Sequence, residues 1–184
     1  MSKKVVVISA SLRANSNSAA LAEQFAKGAK DAGNEVEVIS LKGKNIGFCI
    51  GCLACQSTGS CVIKDDANEI TQKVLNADVV AWATPIYYYE MSGQMKTLID
   101  RMNSMFTKDY KFRDIYLMAS AAEDEEYVPE RAISGLQGWI DCYGKSALKG
   151  TLFCGGVTMP NDISGNDKLS EAYEMGRTVE TMIL

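Results

Sequence analysis

The sequence predicts an α/β protein built on a parallel sheet, and three observations predict it. Short, nearly continuous apolar runs recur along the chain, each suited to a strand buried on both faces. Stripes of apolar residues with helical spacing stand between those runs, as the crossovers of a parallel sheet require. Polar or small-residue loops follow the first, third and fourth runs, at the edge where such sheets place their ligands. Five runs alternate with five stripes over 184 residues.

The first run is Val5-Val6-Val7-Ile8, which stops abruptly at Ser9. From Ser9 to Ser18 the chain offers hydroxyls or an amide at Ser9, Ser11, Ser16, Asn17 and Ser18, and one guanidinium, Arg13. The stripe Leu21, Ala22, Phe25, Ala26 and Ala29 then begins a helix. A strand-to-helix loop of this kind presents free N–H groups, the positive end of a helix dipole, hydroxyls and a fixed charge to one point, which suits a phosphate. With no glycine between Ser9 and Ser18, it matches neither G-x-G-x-x-G nor G-x-x-x-x-G-K-[ST]. The alternative is an N-cap cluster in which Ser16 or Ser18 serves the helix alone.

Gly33-Asn34 reads as a helix stop, and Glu35 to Leu41 alternates as an edge strand does. Residues 42–66 form a long loop containing Gly, Cys and Ser, and loops of that length inside domains are usually functional. Asp65-Asp66 caps a helix carrying Ile70, Val74 and Leu75. Asp78 to Thr84 is the third strand, breaking at Pro85 into the loop Pro85–Gly93 with three successive tyrosines.

The next helix places Met95, Leu98, Ile99, Met102, Met105 and Phe106 on one core-facing stripe. Strand four, Asp114–Ser120, ends in the small loop Ser120-Ala121-Ala122. An acidic stretch leads to Pro129 and a helix with Ala132, Ile133, Leu136 and Ile140 inward. The fifth strand centres on Leu152-Phe153-Cys154, and a last helix carries Leu169, Ala172, Tyr173, Gly176, Val179 and Ile183.

A net charge of −4 and no Lys/Arg-rich block give no electrostatic reason to expect nucleic acid or an anionic membrane. No apolar run reaches membrane-spanning length, and Met-Ser-Lys-Lys-Val reads as a charged start to a strand, so a cytoplasmic protein with reduced cysteines is expected. Histidine is absent, which removes imidazole-based triads and most catalytic zinc sites. Chemistry must then be borne largely by a cofactor.

Phosphate donors on the first loop and an aromatic second loop together describe a mononucleotide site; packing or a subunit interface is the alternative for Tyr87–Tyr89, and suits Tyr88 and Tyr89 equally well. The order Ser-x-Ser-x-Arg-x-x-Ser-Asn-Ser, Cys-x-Gly-Cys before Asp65-Asp66, Thr84-Pro85-Ile86-Tyr87, and Ser92-Gly93-Gln94-Met95-Lys96 resembles the NADPH-dependent FMN reductase family of flavodoxin-like proteins over essentially the whole chain.

That resemblance implies a three-layer sandwich with strand order 2-1-3-4-5. It places the FMN phosphate on Ser9, Ser11, Arg13, Ser16, Asn17 and Ser18, and the ribityl and ring portions on Pro85, Ile86, Tyr87 and Tyr88, with Ser120 and Ala121 nearby. It implies hydride transfer from NAD(P)H to the flavin and onward to a quinone, flavin, metal or protein acceptor, and a homodimer or homotetramer in which a neighbour covers the flavin. Lys96 and Arg101 are expected in solvated or structural roles.

Cys49, Cys52, Cys55 and Cys61 follow C-x2-C-x2-C-x5-C, ligands enough for a [4Fe–4S] centre. The spacing resembles the compact motif of the iron–sulfur flavoproteins, which implies electron transfer between cluster and FMN. Structural zinc and four free thiols remain alternatives. Cys142 and Cys154 read as buried apolar residues. The chain is thus expected to be one FMN-binding domain, 1–184, with a cysteine-containing loop at 42–66. The leading function is an FMN-dependent NAD(P)H oxidoreductase. An iron–sulfur electron carrier and a non-catalytic nucleotide-binding or zinc-stabilised module are the alternatives.

Overall fold

Val5 and Val7 point to one face of the first strand and Val6 and Ile8 to the other, and each face meets its own apolar core. In this computed structural model, which describes residues 2–179, the strands are β1 (Lys4–Ser9), β2 (Glu35–Ser40), β3 (Val79–Tyr87), β4 (Glu90–Met91), β5 (Asp114–Ser120) and β6 (Ala147–Cys154). The helices are α1 (Asn17–Asp31), α2 (Ala54–Thr58), α3 (Asp66–Leu75), α4 (Gly93–Arg101), α5 (Glu130–Asp141) and α6 (Lys168–Arg177).

The sheet order is β2-β1-β3-β5-β6, all parallel, with the short β4 antiparallel on β3. Counted on parallel strands alone this is the expected 2-1-3-4-5 order. Helices α3, α4 and α5 cover one face and α1 and α6 the other, giving the flavodoxin-like three-layer arrangement. Helices α1 and α6 cross backbone to backbone. A Cβ at Gly28 would lie 1.9 Å from the Tyr173 carbonyl oxygen, and one at Gly176 2.1 Å from that of Phe25.

Four local expectations need correction. Strand β3 does not break at Pro85 but runs on to Tyr87 and folds back through Tyr88-Tyr89 onto β4, because Thr84 and Ser92 lock the root of this hairpin. After Arg101 the chain tightens into a 3₁₀ turn, Met102–Met105, so Phe106 leaves the core stripe and is exposed. The 42–66 loop contains the single-turn helix α2. Cys142 caps α5 at the surface, while Cys154 is buried as expected. Ile183 lies outside the described residues.

The parallel register aligns the carboxyl ends of the central strands: Ser9 beside Ala83, Pro85 beside Ser120, and Ser120 beside Cys154. The first, second and third loops therefore emerge along one edge.

Candidate functional site

The first loop is built around the start of α1. Ser16 is the N-cap, accepting the Ala19 N–H at 3.3 Å, and its hydroxyl meets that of Ser18 at 3.1 Å. Asn15 turns the chain with φ of 51°. Among the described residues, the backbone N–H groups of Leu12, Ala14, Asn15, Asn17 and Ser18 meet no acceptor. The Ser9 hydroxyl is buried without a partner. Unpaired N–H donors at a helix start, beside an orphaned hydroxyl, form an anion cradle.

Two of the expected phosphate ligands are occupied by protein. Arg13 donates from Nη1 to the Thr158 carbonyl at 2.6 Å. The Asn17 amide donates to the Met159 carbonyl at 3.0 Å and accepts the Ile163 N–H at 3.2 Å. A fourth segment, 155–163, is thus strapped onto the first loop. It carries no sharp motif; the only signal in the sequence was Gly155-Gly156, where a Cβ on Gly155 would lie 2.4 Å from the Asp124 Cα.

The second loop is the β3–β4 hairpin. Thr84 Oγ1 accepts the Ser92 N–H at 2.9 Å, and Ser92 caps α4 by accepting the Met95 N–H at 3.4 Å. Pro85 and Ile86 are half-buried, Tyr87 is exposed, and Tyr88 is 97% exposed. Tyr89 stacks on Tyr127 with ring centres 6.1 Å apart, and a hydrogen bond to the Glu123 carboxylate pushes its pKa up to about 12. A hollow of about 180 Å³ lies between this hairpin and the third loop, lined by Ile86, Tyr88, Tyr89, Ala121, Ala122 and Glu123. Ser120 is buried at the end of β5, and Ala121 donates its N–H to the Cys154 carbonyl at 3.1 Å. Leu12, Leu41, Lys44, Ile46, Phe48 and the first turn of α4 line a second hollow of about 340 Å³.

The cysteine segment borders a cavity of about 650 Å³, lined by Cys49, Cys52, Cys55 and Cys61, with Ile50, Leu53, Val62, Phe106 and the end of α5 that carries Gly138, Trp139 and Cys142. The four thiols are free, Cys49 and Cys52 exposed and Cys55 and Cys61 half-buried. Among the described residues no three cysteine or carboxylate side chains converge as a metal site. The donor set matches a thiolate-ligated centre in chemistry, four cysteines lining one cavity.

Arg101, expected in a solvated or structural role, takes the structural one: its side chain is 0% exposed and paired with Asp65, itself 4% exposed, at 2.6 Å. Burial pushes the Asp65 carboxyl up, but hydrogen bonds from Arg101 and from the Gly47 and Ala67 N–H groups outweigh it, leaving the pKa below 3.8. Lys96 pairs with Asp100 at the surface, at 2.7 Å.

Fold and edge together define a class: a flavodoxin-like α/β protein with an anion cradle after β1 and an aromatic hairpin after β3. Residues 3–125 match the sequence profile of the family described as NADPH-dependent FMN reductase. The chain belongs to that family.

Among curated proteins it is similar to an iron-sulfur flavoprotein of Archaeoglobus fulgidus, 38% identical over 99 residues, covering 54% of this chain and 45% of that one. It is also similar to an iron-sulfur flavoprotein of Methanosarcina thermophila, 26% identical over 156 residues, covering 84% and 82%. The chain spans about half the length of the first of the curated relatives it matches. Among solved structures it superposes on an NAD(P)H:quinone oxidoreductase from Methanothermobacter marburgensis with a TM-score of 0.75 at 21% identity, covering 100% and 99% of the two chains. An azoreductase from Bacillus anthracis gives 0.69 at 17%, covering 96% and 99%. Among the described residues no helix is long and apolar enough to cross a membrane.

Proposed function

We propose that the chain is one FMN-binding unit that takes hydride from NAD(P)H and passes electrons to a small or protein acceptor. The observation that carries this reading is the row of unpaired backbone N–H groups at the start of α1, with the buried, partnerless Ser9 hydroxyl beneath it. In this reading the phosphate sits on those N–H groups and on the hydroxyls of Ser9, Ser11, Ser16 and Ser18. Asn17 holds the loop against segment 155–163, and Arg13 leaves the Thr158 carbonyl to reach the anion. Pro85, Ile86, Tyr87 and Tyr88 flank the ring in this reading, Ile86 and Tyr88 sharing the hollow with Ala121 and Ser120 standing beside Pro85 in the sheet.

Bound flavin supplies the redox chemistry. The residues orient it, shield it from water and offer backbone N–H groups to negative charge, none of which needs a histidine. A cytoplasmic location fits this chemistry. The exposed side chains Phe48, Ile50, Leu53, Val62 and Phe106 support a homo-oligomer in which a second copy covers them.

The test is the visible spectrum of anaerobically purified protein before and after NADPH. Flavin bands that bleach with NADPH support the reading, and a colourless protein that takes up no FMN would falsify it. Arg13→Ala is expected to weaken FMN binding by about 1.5–3 kcal/mol if a charge-assisted bond is lost. Unchanged affinity removes Arg13 from the phosphate set.

A second reading, an iron–sulfur flavoprotein with [4Fe–4S] on Cys49, Cys52, Cys55 and Cys61, is favoured by a specific observation. All four thiols share one cavity with Arg101, the one buried basic side chain among the described residues. The names of the curated relatives support it. Stoichiometric iron in anaerobic protein tests it against structural zinc and free thiols.

A further inference from the structure

A guanidinium has five N–H donors in a fixed fork. Arg101 uses four of them on the two ends of the cysteine segment. Nη1 donates to the Gly47 carbonyl at 2.7 Å and to Asp65 Oδ2 at 2.6 Å. Nη2 donates to the Ile63 carbonyl at 3.2 Å and to Asp65 Oδ1 at 2.9 Å. Asp65 in turn accepts the Gly47 N–H at 2.8 Å, so both feet of the segment stand on one ion pair. The fifth donor, Nε–H, is buried and has no acceptor. A charged donor is costly to leave unpaired in the interior, so its orphaning asks for an acceptor.

Arg101 and Cys61 line the same cavity, and Cys61 lies two residues before Ile63, whose carbonyl the fork already holds. Cys55 is fixed from the other side, its sulfur accepting from Asn103 Nδ2 at 3.4 Å.

We propose that Arg101 is the positioning residue of the cysteine cavity: its Nη pair clamps the segment that carries the thiols, and its Nε–H is held for the sulfur that Cys61 presents when anionic or metal-bound. This rests on the iron–sulfur reading above. An N–H bond to sulfur and a nearby cation favour the more negative, reduced state of a thiolate-ligated centre, which gains one electron with no bond broken, and so raise its potential. Lysine cannot replace the fork, having a point charge on a flexible stem.

The test uses the full chain, Arg101→Lys, and the double variant Asp65→Asn/Arg101→Gln, which removes the pair without burying an unpaired charge and keeps a capping side chain before α3. Each is reconstituted anaerobically with ferrous iron and sulfide. Iron per chain is measured, and the midpoint potential is followed by the electron-spin signal of the cluster, so that flavin does not enter. Circular dichroism verifies folding.

The double variant is expected to titrate lower by roughly tenfold in the reduction equilibrium, about 59 mV for one electron, with partial recovery in Arg101→Lys. Loss of iron from the folded double variant, restored in part by lysine, also supports the clamp. Equal potentials at equal iron content overturn it. If the unaltered chain takes up no cluster, the iron–sulfur reading fails by itself. The clamp is then read with cobalt(II), through its thiolate charge-transfer absorption. At least tenfold weaker cobalt binding in the double variant supports the clamp, whereas equal affinity, or no binding by any form, overturns it.

Discussion

Tyr88 and Tyr89 are consecutive residues that both hold positive φ, 51° and 66°, and together they make the two-residue bend between β3 and β4. Bends with positive φ at both positions match the twist of a hairpin, and they are normally made by Asn-Gly or Asp-Gly because a Cβ is strained there. Two tyrosines in these positions store strain at the ligand edge of the sheet. Tyr88 packs against little, being 97% exposed, so Tyr88→Gly is expected to stabilise the ligand-free protein by about 1 kcal/mol in urea unfolding. The same substitution should weaken FMN binding. A variant that is neither more stable nor weaker in binding removes the functional explanation of the strain.

Ser9 separates folding from binding in the same way. Its hydroxyl has no protein partner, so Ser9→Ala should leave the stability of the flavin-free chain unchanged or slightly higher. FMN affinity, measured by fluorescence quenching, should fall by about 1 kcal/mol. A loss of stability without a loss of affinity would place the hydroxyl in the fold instead.

Asn17 is expected to behave oppositely. Its amide makes two hydrogen bonds to segment 155–163 from a buried position. Asn17→Ala should cost about 1–3 kcal/mol of stability and expose the peptide bonds around Met159 to limited proteolysis.

Acid should act on the Asp65–Arg101 pair. Because the folded-state pKa of Asp65 is depressed, the unfolded chain takes up the proton first. The stabilisation is complete above about pH 4, the ordinary carboxylate value, and is lost as pH falls through the folded pKa. Asp65→Asn should flatten that acid limb of the stability profile, measured by urea midpoints between neutral pH and the acid range. Arg101→Ala, which strands a buried carboxylate, should cost about 3–5 kcal/mol at neutral pH.

At the alkaline end, Tyr89 and Tyr143 should ionise near pH 12, Tyr89 through the Glu123 carboxylate and Tyr143 through burial. The folded protein should therefore show late phenolate absorbance, and the raised values favour the fold below pH 10, with that contribution lost as the pH rises towards 12. Substituting Glu123→Gln should bring one tyrosine back to an ordinary titration.

The parallel strands and the cap of α1 were legible in the sequence because each is a local pattern. Val5 to Ile8 must lie in a two-faced strand, and Ser16 stands one residue before the helix it caps. The hairpin was not legible: Pro85 signals a break, and no Asn-Gly marks the bend, since the turn is set by Thr84 gripping Ser92 across the hairpin. Arg101 fills the structural role expected of it, but its partners were not legible for a related reason. Its burial follows from Asp65, Gly47 and Ile63, which reach it only through the tertiary fold. The strap at 155–163 has no pattern of its own, and Arg13 and Asn17, which match a phosphate motif, are the residues that hold it.

The ion pair beneath residues 47 and 65 ties both ends of the excursion between them to α4 at one point. Lengthening such a loop is cheap, about 0.6 kcal/mol for each doubling, and the sheet would not feel it. The stretches not held by Asn68 or Asn103 can thus lengthen while both ends stay fixed. This fold can take a longer thiol-bearing insert without disturbing the loop that follows its first strand.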